Sequence, residues 1–281
     1  MKLGYCLKRY IDGVRKYKKL HCFDKIYHDL YSQHSLENKL FLNLGAGGFH
    51  HKYWTNIDMG SEQYEKVQKH DFINMNFEDK QPLPFDDTTI EIVYTSNMIE
   101  HLTDDAVAFL FDEVYRLLKQ GGFFRITCPD GLLYYRAMAL GNTEFYKRVQ
   151  ASKTISDLEA LFVGYLKSEL AYYNDCYNGC FGFDNARDVT LQYIREYVAA
   201  HGLEGKDMCE KLNNIQTNDT ILAHKNIWWH ERLFEWLQTA GFNNQNMYVS
   251  GYGQSCNPIL RDIMYFDRTA PFHSLYVEAI K

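Results

Sequence analysis

Between residues 41 and 130, short apolar runs alternate with turn residues, and most of the runs have the length of strands rather than helices. Residues 41–44 form the first run and break into Gly45-Ala46-Gly47-Gly48; residues 54–57 form the second and end at Asp58. A third strand is expected near 70–72. Residues 90–94 make a clearer strand, preceded by the turn-forming Pro82, Pro84, Asp86 and Asp87. Over 104–119, Val107, Leu110, Phe111, Val114, Leu117 and Leu118 recur at helical spacing, and Gly121-Gly122 is expected to stop that helix. Residues 123–127 return to a strand pattern and end at Cys128-Pro129-Asp130. Strand, helix and strand in this order form a crossover unit, which requires a parallel sheet.

From 131 to 221 the alternation fades and aromatic residues become dense, Tyr134, Tyr135, Tyr146, Tyr165, Tyr172, Tyr173 and Tyr177 among them. Helices are expected to flank the 174–185 loop, where Gly179 and Gly182 permit tight turns. The region reads as a largely helical insertion that caps the carboxyl edge of the sheet and selects the substrate. The sheet pattern resumes with a helix at 231–240, stopped by Gly241, and strands near 245–250 and 273–279. The chain thus divides into an N-terminal extension (1–40), a core made of 41–130 and 222–281, and the insertion between them.

Composition changes this picture little: 46% of residues are apolar and 23% charged, as in ordinary globular proteins. No apolar run is long enough for a transmembrane helix, and the first residues lack the apolar core of a signal peptide. Seven cysteines, an odd number, suit reduced thiols in a cytoplasm; Cys176 and Cys180 have no second pair to complete a zinc set. The net charge is -6, but the first 20 residues carry seven Lys/Arg against the single Asp12, which leaves -12 on the remainder. The acidic body argues against a nucleic-acid partner. The basic start can pack as a helix on the body or touch an anionic membrane surface peripherally.

The glycine turn carries the candidate chemistry. A dinucleotide fingerprint needs a third glycine, a full helix after the turn and an acid about 20 residues on. Here position 50 is His50, and Asp58 follows within a few residues of the Trp54 strand. No Gly-Lys-Ser/Thr closes a phosphate loop either. A nucleoside ligand without a pyrophosphate fits better: Gly45 and Gly47 allow close backbone approach, and Asp58 can accept hydrogen bonds from both ribose hydroxyls.

Five core segments in this order resemble class I S-adenosylmethionine-dependent methyltransferases. They are Leu42 to Gly48, Trp54 to Asp58, Leu83-Pro84-Phe85-Asp86-Asp87, Ile99-Glu100-His101-Leu102 and Glu113 to Gly122; 237–242 and 275–279 add to them. The branch they resemble is methyltransferase type 11, often found with bacterial surface-glycan genes. The resemblance implies an α/β, Rossmann-like, mostly parallel seven-stranded sheet with an antiparallel last strand. It implies S-adenosylmethionine as cofactor, held by Asn43, Gly45, Ala46, Gly47, Asp58, Asp71 and Asn97. Asp58 would hold the ribose, Asp71 would meet the adenine amino group, and Asn97 would close over the cofactor. Many members carry an acid where this chain has Asn43, which supplies no negative charge to the cofactor's ammonium.

Transfer to a hydroxyl is helped by a general base of near-neutral pKa. His50, His51 and His230 fall near the expected ligand edge, but the candidate bases are His101, His224 and Asp130. Insertion tyrosines could stack on a sugar, although aromatic stripes at helical spacing are more often core, and Arg187, Arg195 and Lys206 could meet a phosphate. Asp207 and Glu210 share a helical face, but no metal triad is legible and a metal-independent reaction is expected. The expected activity is O-methylation of a sugar, nucleotide-linked sugar or other small polar metabolite, in the cytoplasm. N-methylation, an NAD-dependent oxidoreductase and a non-catalytic binding protein are the alternatives, and the sequence fixes no oligomeric state.

Overall fold

The computed structural model describes residues 23–60, 71–149, 158–167, 191–214 and 223–281. The basic start of the chain, the 174–185 loop with Cys176 and Cys180, Arg187 and His70 lie outside the described residues.

Seven strands form one sheet: β1 (Phe41–Leu44), β2 (Trp54–Asp58), β3 (Ile73–Asn74), β4 (Ile90–Ser96), β5 (Leu118–Pro129), β6 (Met247–Val249) and β7 (Ser274–Ile280). Their order is β3-β2-β1-β4-β5-β7-β6. β1 to β5 pair in parallel, whereas β7 runs antiparallel to both β5 and β6. This is the mostly parallel Rossmann-like sheet with an antiparallel last strand that the sequence predicts. All four residues of β1 are buried, as a central parallel strand covered on both faces requires.

The helices are α1 (Phe23–Leu30), α2 (Gln33–Glu37), α3 (Asp104–Leu117), α4 (Gly131–Ala139), α5 (Thr143–Val149), α6 (Leu158–Lys167), α7 (Leu191–His201), α8 (Lys206–Asn213) and α9 (His230–Thr239). α3 starts where Thr103 caps the Ala106 N–H and Asp104 and Asp105 meet the positive end of the helix. Its apolar stripe (Val107, Leu110, Phe111, Val114) joins Leu233 and Leu237 of α9 in the core on one face of the sheet. The other face is closed by Tyr27 and Leu36, with Ile259, Leu260 and Phe266 from the β6–β7 connection.

One sequence expectation needs correction. Gly121-Gly122 does not stop α3, which ends at Leu117 and passes directly into β5. The pair sits inside β5, where the register with β4 shifts between Ile90 and Ile92. Gly121 takes a φ of 78°, and a Cβ on Gly122 would lie 2.9 Å from the Lys119 carbonyl. These glycines serve an irregularity in the strand rather than a helix cap. Gly241, by contrast, ends α9 as expected. It has φ 113°, its N–H donates to Gln238 O, and the Phe242 N–H donates to Leu237 O.

The insertion's aromatics take the core alternative rather than the sugar-facing one. Tyr134, Tyr135, Tyr146 and Tyr165 are buried in a separate apolar cluster with Phe162, Ile194 and Trp229. Tyr134 and Tyr165 stack at 4.3 Å, and the Tyr146 hydroxyl donates to Tyr134 O. Burying these large rings gives the insertion a core of its own. Among the described residues, Cys128, Cys209 and Cys256 are free thiols, and no helix is long and apolar enough to cross a membrane.

Candidate functional site

A cavity of about 1450 Å³ opens at the carboxyl ends of β1, β2 and β4, the edge at which such sheets bind ligands. It exceeds the usual volume for one small ligand (roughly 300–1000 Å³) and has room for a nucleoside cofactor beside a second molecule. Asn43, Gly45, Ala46, Gly47, Asp58, Asn97 and His101 all line it.

The turn after β1 is built from backbone that only glycine supplies easily. Gly45 has φ 68° and donates its N–H to Ile57 O; an added Cβ would lie 2.3 Å from Met98 Cγ. Gly47 has φ 50° and nothing within 4 Å of an added Cβ, so bare backbone faces open space there. Its N–H donates to Asp58 Oδ2 at 2.6 Å, and the Met59 N–H donates to Oδ1 at 2.7 Å. The two bonds fix the Asp58 carboxylate at the cavity wall and leave lone pairs for a ribose diol. Asn97 takes the left-handed conformation (φ 49°), tolerable for Asn, and donates its N–H to Thr127 O.

Asp71 is exposed and does not line the cavity. Asn76, Phe77 and Glu78 line it instead, on the turn after β3. Nothing in the sequence marked them, because their approach depends on a long-range clamp. Glu78 accepts from the Thr103 N–H and hydroxyl and pairs with Lys225 Nζ at 2.6 Å. Burial pushes this carboxyl up, but the bonds from Lys225 and Thr103 outweigh it and hold its pKa below the ordinary value.

The three candidate bases separate clearly. Asp130 does not line the cavity; it caps α4, its Oδ1 accepting from the Leu132 and Leu133 N–H groups, and burial raises its pKa. His101 stands at the cavity wall after β4, and its Nδ1 lies 3.2 Å from Ala223 O. Burial, which outweighs that hydrogen bond, lowers its pKa to about 4, so the ring is neutral at physiological pH. His224 is buried next to it, the two rings meeting edge to face at 4.9 Å.

Of the described insertion residues, Asn213 and Asn214 line the cavity, whereas Arg195 pairs with Glu159. Met264, Tyr265, Arg268 and Thr269, from the β6–β7 connection, also line the cavity, and the Tyr265 ring meets Phe49 and His51 just after the glycine turn. Arg125, fully buried in β5, holds that connection in place. It pairs with Asp267 and Glu278 at 2.5 Å and donates to Gly251 O and Gln254 O.

The strand order and the glycine turn are similar to those of class I S-adenosylmethionine-dependent methyltransferase domains. Residues 42–126 match the family model Methyltransf_11, a methyltransferase domain, and S-adenosylmethionine is the cofactor this supports. The residues present fit that cofactor: a glycine cradle, a fixed carboxylate for the ribose and a cavity of sufficient size. No curated protein matches the chain. Solved structures similar to it include a SAM-dependent methyltransferase from Archaeoglobus fulgidus, at 13% identity and TM-score 0.41 over 86% of this chain and 85% of that one. Another, from Mesorhizobium loti, shows 15% identity and TM-score 0.40 over 86% and 90%.

Proposed function

We propose that the protein transfers a methyl group from S-adenosylmethionine to a hydroxyl of a sugar, nucleotide-linked sugar or other small polar metabolite. The observation that carries this reading is the Gly47–Asp58 hydrogen bond at the wall of a cavity large enough for cofactor and acceptor together. Asp58 accepts from the ribose hydroxyls, while Gly45 and Gly47 bring backbone against the methionine part. Asn97 closes over the cofactor, and Phe77 gives the adenine an apolar neighbour at the cavity edge.

When bound, the cofactor supplies an electrophilic methyl on sulfur. The protein's share is to align the acceptor oxygen with that methyl and to exclude competing water. Asn213, Asn214, Lys225 and Arg268 give the remaining cavity wall hydrogen-bonding and cationic groups suited to a polyhydroxylated or phosphorylated acceptor. The acceptor proton departs at the His101 end of the cavity, beside Lys225. We place the reaction in the cytoplasm, in the synthesis of a surface polysaccharide.

A screen of nucleotide sugars and phosphorylated metabolites with radiolabelled methyl donor tests this reading. Label should enter a small carbohydrate through an ether linkage; turnover confined to protein or RNA would refute it. Label on nitrogen would favour N-methylation instead.

A further inference from the structure

We infer that Glu100, His101 and His224 form a site for a divalent transition cation of the Zn²⁺ class at the acceptor end of the cavity. One carboxylate oxygen and one nitrogen from each ring lie within 4.8 Å of one another. Three donors bound to one ion at about 2.0–2.2 Å stand roughly 3–3.5 Å apart. Binding therefore draws these side chains together by at most about 1.5 Å, within the reach of side-chain rotations.

Four features support a site rather than a chance meeting of side chains. The donor set is two imidazoles and a carboxylate, which suits Zn²⁺ and its neighbours rather than Mg²⁺ or Ca²⁺. The Ala223 carbonyl accepts from His101 Nδ1–H, which puts the lone pair on Nε2; metal-binding histidines are commonly oriented in this way. The two contributing segments are fastened together beside the donors. The Lys225 and Asn226 N–H groups both donate to Glu100 O, at 2.7 and 3.3 Å, and Asn226 Nδ2 donates to Leu102 O at 2.7 Å. Finally, Glu100 and His224 are 2% and 5% exposed, whereas His101 faces the cavity. The ion would be backed by protein and open on one side, as catalytic rather than structural sites are.

The inference rests on the methyltransferase reading for its chemistry. An acceptor hydroxyl bound at the open position becomes more acidic, as metal-bound water does, and releases its proton to solvent. The acceptor oxygen then forms a bond to the methyl carbon, and the C–S bond pair stays on the departing sulfur as a neutral thioether. No side-chain base is then needed: the His101 Nε2 lone pair would be taken up by the ion, and Asp130 is used as a helix cap.

The test uses the full chain, stripped with chelator and titrated with ZnCl₂ or CoCl₂, with bound metal counted by plasma mass spectrometry after dialysis. Wild type should retain one ion per chain, and bound Co²⁺ should show the intense visible absorption of a low-coordinate nitrogen and oxygen site. Glu100→Gln and His224→Gln should each weaken binding by roughly 100-fold or more, with circular dichroism reporting whether they fold. The Co²⁺ spectrum of wild type decides the matter even if neither variant folds. Absence of retained metal and of that spectrum in wild type, or folded variants that bind as tightly as wild type, would overturn the site. S-adenosylmethionine titrated into the stripped protein separates the two ideas: cofactor binding without metal binding sinks the ion alone, and metal binding without cofactor binding sinks the methyltransferase reading.

Discussion

The Gly47 N–H donates to Asp58 Oδ2 at 2.6 Å, so the glycine turn and the acid at the end of the next strand are one hydrogen-bonded unit. The position of the acid is set by the backbone of the turn. A substitution at Asp58 therefore removes a ribose contact and loosens the turn beneath the cofactor.

For Asp58→Ala, loss of hydrogen bonds to a charged acceptor costs about 1.5–3 kcal/mol of binding, or roughly 10–100-fold in the dissociation constant for S-adenosylmethionine. Isothermal titration measures this. Unchanged affinity would remove Asp58 from the cofactor site.

The two glycines of the turn should respond differently to alanine. Each pays about 1–2 kcal/mol for a left-handed backbone, but at Gly45 the new methyl also meets Met98 at 2.3 Å, whereas at Gly47 it meets nothing within 4 Å. Gly45→Ala should lower the urea midpoint markedly more than Gly47→Ala. Equal losses would mean that backbone conformation alone sets both positions.

These residues also show which features are legible in a sequence. The strands, the turn and Asp58 are local: a short apolar run and the glycines beside it determine them without reference to the rest of the chain. Gly121-Gly122 looked like a helix stop because the same dipeptide serves a strand irregularity, and the difference lies in the neighbouring strand. Asp130 looked like a base at a strand end, but the following helix needed its N–H groups capped. Helical spacing favoured a core for the insertion's tyrosines over a sugar contact, and the packing decides it. The Glu100, His101 and His224 cluster was hidden for a related reason, since His224 joins it from the far side of the insertion.

Glu113 explains why two of the family-like segments occur together. Its carboxylate takes two hydrogen bonds from Arg116 and one from the Leu83 N–H, so α3 holds the 83–87 segment. The Arg116 bonds, outweighing burial, keep its pKa below the ordinary 4.5. The stability this gives is complete above about pH 4.5, the unfolded value, and is lost as pH falls through the lower folded value. Glu113→Gln should cost about 2 kcal/mol at neutral pH, and its urea midpoint should converge with that of wild type in acid. A constant gap at all pH values would mean that the charge does not matter.

Asn43 is 3% exposed and lines the cavity beside the glycine turn. Asn43→Asp buries a carboxylate that lacks a counter-charge until the cofactor's ammonium arrives. The variant should melt lower than wild type alone and gain a larger thermal shift from S-adenosylmethionine. A smaller shift would place the ammonium elsewhere.

Paired calorimetric titrations of the purified chain with S-adenosylmethionine and with NAD distinguish a turn that holds S-adenosylmethionine from one that holds a dinucleotide. S-adenosylmethionine should bind saturably at one site, more weakly in Asp58→Ala, and NAD should give no heat. Saturable NAD binding with no heat from S-adenosylmethionine would contradict it.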